Sequence, residues 1–155
     1  MHSIRWAAAC ALAATLAACA SSTTTSTVTT QPSVTTWAKE ASGGLLVAEK
    51  GSVVDPACAN QRVDYEVQPL EIGHQIPAIL IVKSGSSCLG KAGQASEVFV
   101  KAGGRWTSQF KSGGDVRLLP TRTAGVRDLG VDAGSSCTSE WHWQGSAYEI
   151  SKRCP

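Results

Sequence analysis

The strongest constraint on what this chain can fold into is a pair of similar segments that read as two copies of one unit. Ala78-Ile79-Leu80-Ile81-Val82-Lys83-Ser84-Gly85-Ser86-Ser87-Cys88 aligns without gaps on Arg127-Asp128-Leu129-Gly130-Val131-Asp132-Ala133-Gly134-Ser135-Ser136-Cys137. Upstream, at the same offset, Val67 matches Val116 and Leu70 matches Leu119. Downstream, after a short deletion, Ser96-Glu97-Val98-Phe99-Val100 matches Ser139-Glu140-Trp141-His142-Trp143, and Trp106 falls near Tyr148. Each copy is a unit of about 45–50 residues and four strands, the size of a propeller blade or a small meander. Two such units cannot close a propeller, and one sheet cannot bury its apolar face alone. The expected fold is therefore all-β, a small antiparallel domain built as a sandwich or as two blade-like sheets from a tandem repeat.

The residue pattern agrees with that expectation. Apolar and polar residues alternate over Val63-Asp64-Tyr65-Glu66-Val67-Gln68, as a half-buried strand requires. Ala78–Val82 is an unbroken apolar run suited to a strand buried on both faces. Further strands are expected at 45–48, 97–101, 105–110, 116–119, 126–131, 140–144 and 147–150, with hairpin turns at Gly103-Gly104 and Gln144-Gly145. Residues 37–41 read as either a short helix or an irregular lead-in.

The first twenty residues have a separate logic. Met1–Arg5 carries one positive charge, and Trp6–Ala18 is an apolar and small-residue run of secretory length, too short to span a bilayer. It ends in Leu16-Ala17-Ala18-Cys19, which closely resembles the bacterial lipobox. The resemblance implies that residues 1–18 are a signal peptide removed on maturation and that Cys19 carries the lipid. Ala20, where inner-membrane lipoproteins often have Asp, implies an outer-membrane anchor facing the periplasm. The membrane is thus one expected partner, reached through the acyl chains.

Residues 20–36 contain twelve Ser or Thr among seventeen and no charge. Such a stretch cannot bury enough apolar surface to offset its ordering entropy, so 19–36 reads as a lipidated cysteine and a flexible linker. Its r.m.s. reach would be roughly 20–25 Å. The folded domain is expected over 37–155.

Of the six cysteines, Cys10 leaves with the signal peptide and Cys19 is the lipid site. Cys58, Cys88, Cys137 and Cys154 remain, an even number suited to disulfides in an oxidising envelope compartment. Three connectivities are open. The short separation of Cys137 and Cys154 favours that bridge, which leaves Cys58 for Cys88.

Motifs that carry chemistry are scarce. The sequence has no Gly-Xaa-Ser-Xaa-Gly elbow, His-Glu-Xaa-Xaa-His pair, P-loop or dinucleotide fingerprint, and no Cys-Xaa-Xaa-Cys. These absences argue against an enzyme, a cofactor or a metal site, and a formal net charge of only +2 gives no electrostatic reason to expect nucleic acid. Candidate binding residues are His74 in the Gly73–Pro77 loop, the loose basic cluster Arg117, Arg122 and Arg127, and the pair Trp141 and Trp143, which share one strand face. The tryptophans read either as core or as an exposed aromatic platform.

The combination of a lipid anchor, disulfides and GSSC/Trp-rich units resembles periplasmic lysozyme inhibitors and effector-immunity lipoproteins. That resemblance implies a protein-binding module, an inhibitor or immunity protein directed at a peptidoglycan-cleaving enzyme. The alternative is an accessory lipoprotein of an outer-membrane or cell-wall assembly.

Overall fold

The computed structural model describes residues 32–90, 93–132 and 137–154. The stretch expected to be a signal peptide, Cys19, most of the expected linker and Gly134-Ser135-Ser136 of the second GSSC loop lie outside these residues. The domain is all-β, with one short helix. A five-stranded antiparallel sheet runs in the order β1 (Lys50–Asp55), β2 (Gln61–Pro69), β3 (Ala78–Ser84), β4 (Gln94–Ala102), β5 (Arg105–Ser112). A four-stranded antiparallel sheet follows as β6 (Asp115–Thr123), β7 (Val126–Asp132), β8 (Thr138–Trp143), β9 (Tyr148–Lys152).

β3 shows why its sequence is apolar throughout. Ile79 and Ile81 point to one side, where they pack with Tyr65, Val67, Ala38 and Leu46 under helix α1 (Val34–Ala41). Ala78 and Leu80 point to the other, where Val98, Val100 and Phe110 meet Leu129, Val131, Trp143 and Tyr148 of the second sheet. The five-stranded sheet is the middle layer between a helix and a second sheet, and so needs apolar side chains on both faces.

Helix α1 corrects the linker boundary. The helix takes Val34–Thr36 from the stretch read as linker, because the Ser33 hydroxyl accepts the Thr36 amide at 3.2 Å and caps it. Val34, Trp37, Ala38 and Ala41 recur at helical spacing and face the sheet. Trp37 meets Trp106 of β5 at 5.9 Å, and Glu40 receives Lys101 Nζ at 2.8 Å and Trp106 Nε1 at 2.9 Å. Those two hydrogen bonds, Lys101 first, hold the Glu40 carboxyl below the usual glutamate range.

The first strand also differs from expectation. Residues 45–48 are a connection in which Leu46 is buried against Ile79 and Ile81 and is anchored by its amide to Ser42 Oγ at 2.9 Å. The strand begins at Lys50, where pairing with Glu66 starts the register that runs to Asp55 opposite Gln61. The other expected strands form within one to four residues of their expected ends.

The cysteines pair as Cys58–Cys88 and Cys137–Cys154, with Cα–Cα separations of 5.5 and 5.8 Å. The first ties the β1–β2 connection to the β3–β4 connection; the second ties the β7–β8 connection to the residues after β9. Bridges of this kind contribute about 2–4 kcal/mol each. Beside the first bridge, buried Asp55 accepts Lys83 Nζ at 2.6 Å and the Ala57 amide at 2.9 Å. Burial raises the Asp55 pKa, but Lys83 and the amide outweigh it and the net shift is downward. Its stabilisation is present above the ordinary aspartate range and fades as pH falls through the depressed value.

The aligned halves agree in part. Leu80 and Leu129, Val82 and Val131, Val98 and Trp141, and Val100 and Trp143 all face the space between the sheets. The upstream match does not carry over, since Val67 faces α1 whereas Val116 faces the other sheet.

Tyr148 gives the fold a pH signature. Its hydroxyl donates to the Arg127 carbonyl at 2.7 Å, and burial, followed by the nearby Asp128 charge, pushes its pKa well above the ordinary value. The unfolded chain therefore ionises first as pH rises, so the Tyr148 contribution to stability should be constant up to about pH 10 and decline above it. Tyr148→Phe should lower stability at neutral pH by about 1 kcal/mol and flatten the alkaline decline relative to wild type. Urea titrations between pH 7 and 11 read both effects; parallel curves for the two proteins would contradict the buried hydroxyl.

Candidate functional site

Two connections from different sheets meet at one end of the domain. After β2, the chain places Ile72 in the core and turns at Gly73, with Ile76 N donating to Gly73 O at 3.1 Å. From the other sheet, Ala124 and Gly125 form the β6–β7 turn with φ of 49° and 79°, the left-handed pair that a tight hairpin requires. A main-chain bond from Arg127 N to Ile72 O at 2.7 Å locks the two connections together.

His74 and Arg122 complete the contact. His74 Nε2 lies 3.1 Å from the Ala124 carbonyl, which can only accept, so this nitrogen carries the proton. Arg122 Nη1 donates to the Gly125 carbonyl at 3.1 Å. His74 and Gln75 also have positive φ, 50° and 55°, as does Ala124. Three non-glycine residues in the left-handed region thus sit together and exposed at this end. Such conformations cost about 1–3 kcal/mol each and persist only where surrounding contacts enforce them.

Glycine is required at two points. A Cβ on Gly125 would overlap the His74 imidazole, and one on Gly73 would lie 3.0 Å from Gly125 O and 3.1 Å from Arg122 Nη1, at a φ of 109°. These glycines, with Gln75 and Ala124, escaped the sequence reading; the only signal was a Gly-His-Gln and an Ala-Gly pair between strands.

The remaining candidates separate. Arg127 Nε donates to Leu119 O at 3.0 Å across the irregular part of β6, filling the hydrogen bond that the register shift leaves open. Arg117 lies on the outer face of the second sheet, paired with Asp132 at 3.4 Å and donating to Thr138 Oγ1 at 3.1 Å. Arg117, Arg122 and Arg127 therefore do not form one basic cluster. Trp141 and Trp143 are not an exposed platform: Trp143 is 4% exposed and meets Tyr148 edge-on at 5.2 Å, while Trp141 stacks on Phe110 at 4.6 Å. Burial between the sheets bears out the core reading over the platform, since the face they share is the one that the five-stranded sheet covers.

His142 points to the opposite face, with Nε2 3.9 Å from Oδ2 of Asp128, a carboxylate only 2% exposed. Among the described residues, no group of three or more His, Cys, Asp or Glu side chains is arranged to hold a metal ion.

No protein-family model matches the chain, and no curated protein or solved structure matches it either.

Proposed function

We propose that the chain is a cell-envelope lipoprotein, anchored in the outer membrane through Cys19, whose β domain binds another protein through the end built from His74, Gln75, Arg122 and Ala124. The observation that carries this reading is the convergence of three left-handed non-glycine residues into one exposed, cross-braced end. A loop held in its binding conformation beforehand loses less entropy on association than a mobile one. On such a loop the second imidazole nitrogen of His74 supplies a directional acceptor and the remaining N–H groups of Arg122 supply donors, and arginine is enriched among residues that dominate interfaces. An exposed, braced end also suits contact with a peptidoglycan-cleaving enzyme, the partner class that the sequence resemblance implies.

Gly125→Ala tests the role of this end. The substitution places a side chain at a φ of 79° and displaces the His74 ring, so a stability loss of about 1–2 kcal/mol is expected. Partner affinity should fall at least tenfold, measured by calorimetry against hydrolases encoded beside this chain. A variant that binds as tightly as wild type would remove this end from the interface.

A further inference from the structure

The second sheet covers only part of the face it packs on. Leu80, Val98, Val100 and Phe110 lie beneath it, but Asp64, Glu66 and Gln68 of β2 project from the same face into solvent. Two hollows of about 440 and 340 Å³ lie along this uncovered strip and share Glu66, Val82 and Gln94, so they form one groove. Its far wall is the start of β6, where Asp115 accepts Gln94 Nε2 at 2.7 Å.

The groove is acidic. Its charged lining is Asp64, Glu66 and Asp115 against Lys50 alone, and Lys50 is an 80% exposed side chain 3.6 Å from Glu66. A second observation is independent of the charge. Ser96 lines the inner end between Glu66 and Asp115, is only 1% exposed, and its hydroxyl has no hydrogen-bond partner among the described residues. Strand alternation puts this hydroxyl on the same face as Gln94 and Val98. A buried hydroxyl left unsatisfied destabilises a fold, and such groups in a native protein call for an explanation.

We propose that this groove binds a basic polypeptide segment of a partner protein, with an arginine or lysine side chain passing between Glu66 and Asp115 and donating to the Ser96 hydroxyl. The carboxylates supply the complementary charge, and Ser96 supplies the acceptor that stands idle in the free domain. A saccharide fits less well, because the one aromatic residue in the lining, Tyr65, is only 5% exposed and packs in the helix-side cluster, so it offers no open ring to the apolar face of a sugar. The groove shares no lining residue with the His74 end.

The probe is an end-capped, fluorescently labelled tetra-arginine peptide, followed by anisotropy with the full chain in nonionic detergent. The triple variant Asp64→Asn, Glu66→Gln, Asp115→Asn should bind at least tenfold more weakly. Ser96→Ala should bind several-fold more weakly while its melting temperature rises, because the unsatisfied hydroxyl is gone. A purely structural serine would not produce that pair of opposite changes. Unchanged peptide affinity in both variants would overturn the proposal. So would binding of a neutral N-acetylglucosamine oligosaccharide without binding of the peptide.

Discussion

Trp143→Ala is expected to lower the unfolding free energy by about 3–5 kcal/mol. Trp143 is the more deeply buried of the two tryptophans between the sheets, in edge contact with Tyr148 and in one cluster with Leu129, Val131 and Val100. Removing the indole takes away apolar contact from both layers, and the sheets can close only part of the gap because the other side chains between them hold them apart. The loss is a large share of the roughly 5–15 kcal/mol available to a domain of this kind. Trp37→Ala should cost less, since Trp37 is only partly buried at the margin of the helix layer. Chemical denaturation with the disulfides intact measures the difference. A loss below about 1 kcal/mol for Trp143→Ala would mean that the sheets do not pack through this residue.

Cys19→Ser is expected to abolish incorporation of labelled palmitate completely, while Cys10→Ser leaves it intact. The expectation rests on the proposed lipid anchor. Each methylene buried in the bilayer contributes about 0.8 kcal/mol, so two or more acyl chains give attachment that is stable over the life of the protein. Of the other cysteines, Cys58, Cys88, Cys137 and Cys154 are paired with one another, and Cys10 lies within the apolar run before the lipobox and serves as the control. Label retained in Cys19→Ser would contradict the lipobox reading.

Much of the fold was legible because it depends on local alternation. Val63, Tyr65 and Val67 are buried while Arg62, Asp64 and Glu66 are exposed, as period two requires. The unbroken apolar run of β3 correctly announced two buried faces, although nothing in the run told which layer would cover each. The helix was obscured by composition: Val34 and Trp37 begin its apolar stripe inside or beside a Ser/Thr tract whose overall polarity argues for disorder. β1 was missed because Gly51 and Ser52 weaken its pattern, while of the more apolar Leu45-Leu46 pair Leu46 plugs the helix layer and Leu45 is left exposed.

The site was legible only as separate residues. His74 and Arg122 could be singled out, but the packing of one sheet on another brings His74 to Ala124, 50 residues away, and no local signal encodes that meeting. Arg117 and Arg127 look equivalent to Arg122 in the sequence. Register distinguishes them, since it pairs Arg117 with Gly130 on the outer face, whereas the shift after Leu118 commits Arg127 to the Leu119 carbonyl. The groove beside β2 was hidden because its acidic residues read as the ordinary solvent side of a strand.

The most direct test of the central claim is site-specific photocrosslinking in living cells, with a photoreactive residue at exposed position 75 and a control at Val47, 64% exposed on the α1–β1 connection. A protein that meets its partner through the His74 end should yield one discrete crosslinked product from position 75, none from position 47, and none from position 75 when Gly125→Ala is also present. The same product from both positions, or a product from position 75 that persists in Gly125→Ala, would contradict the account.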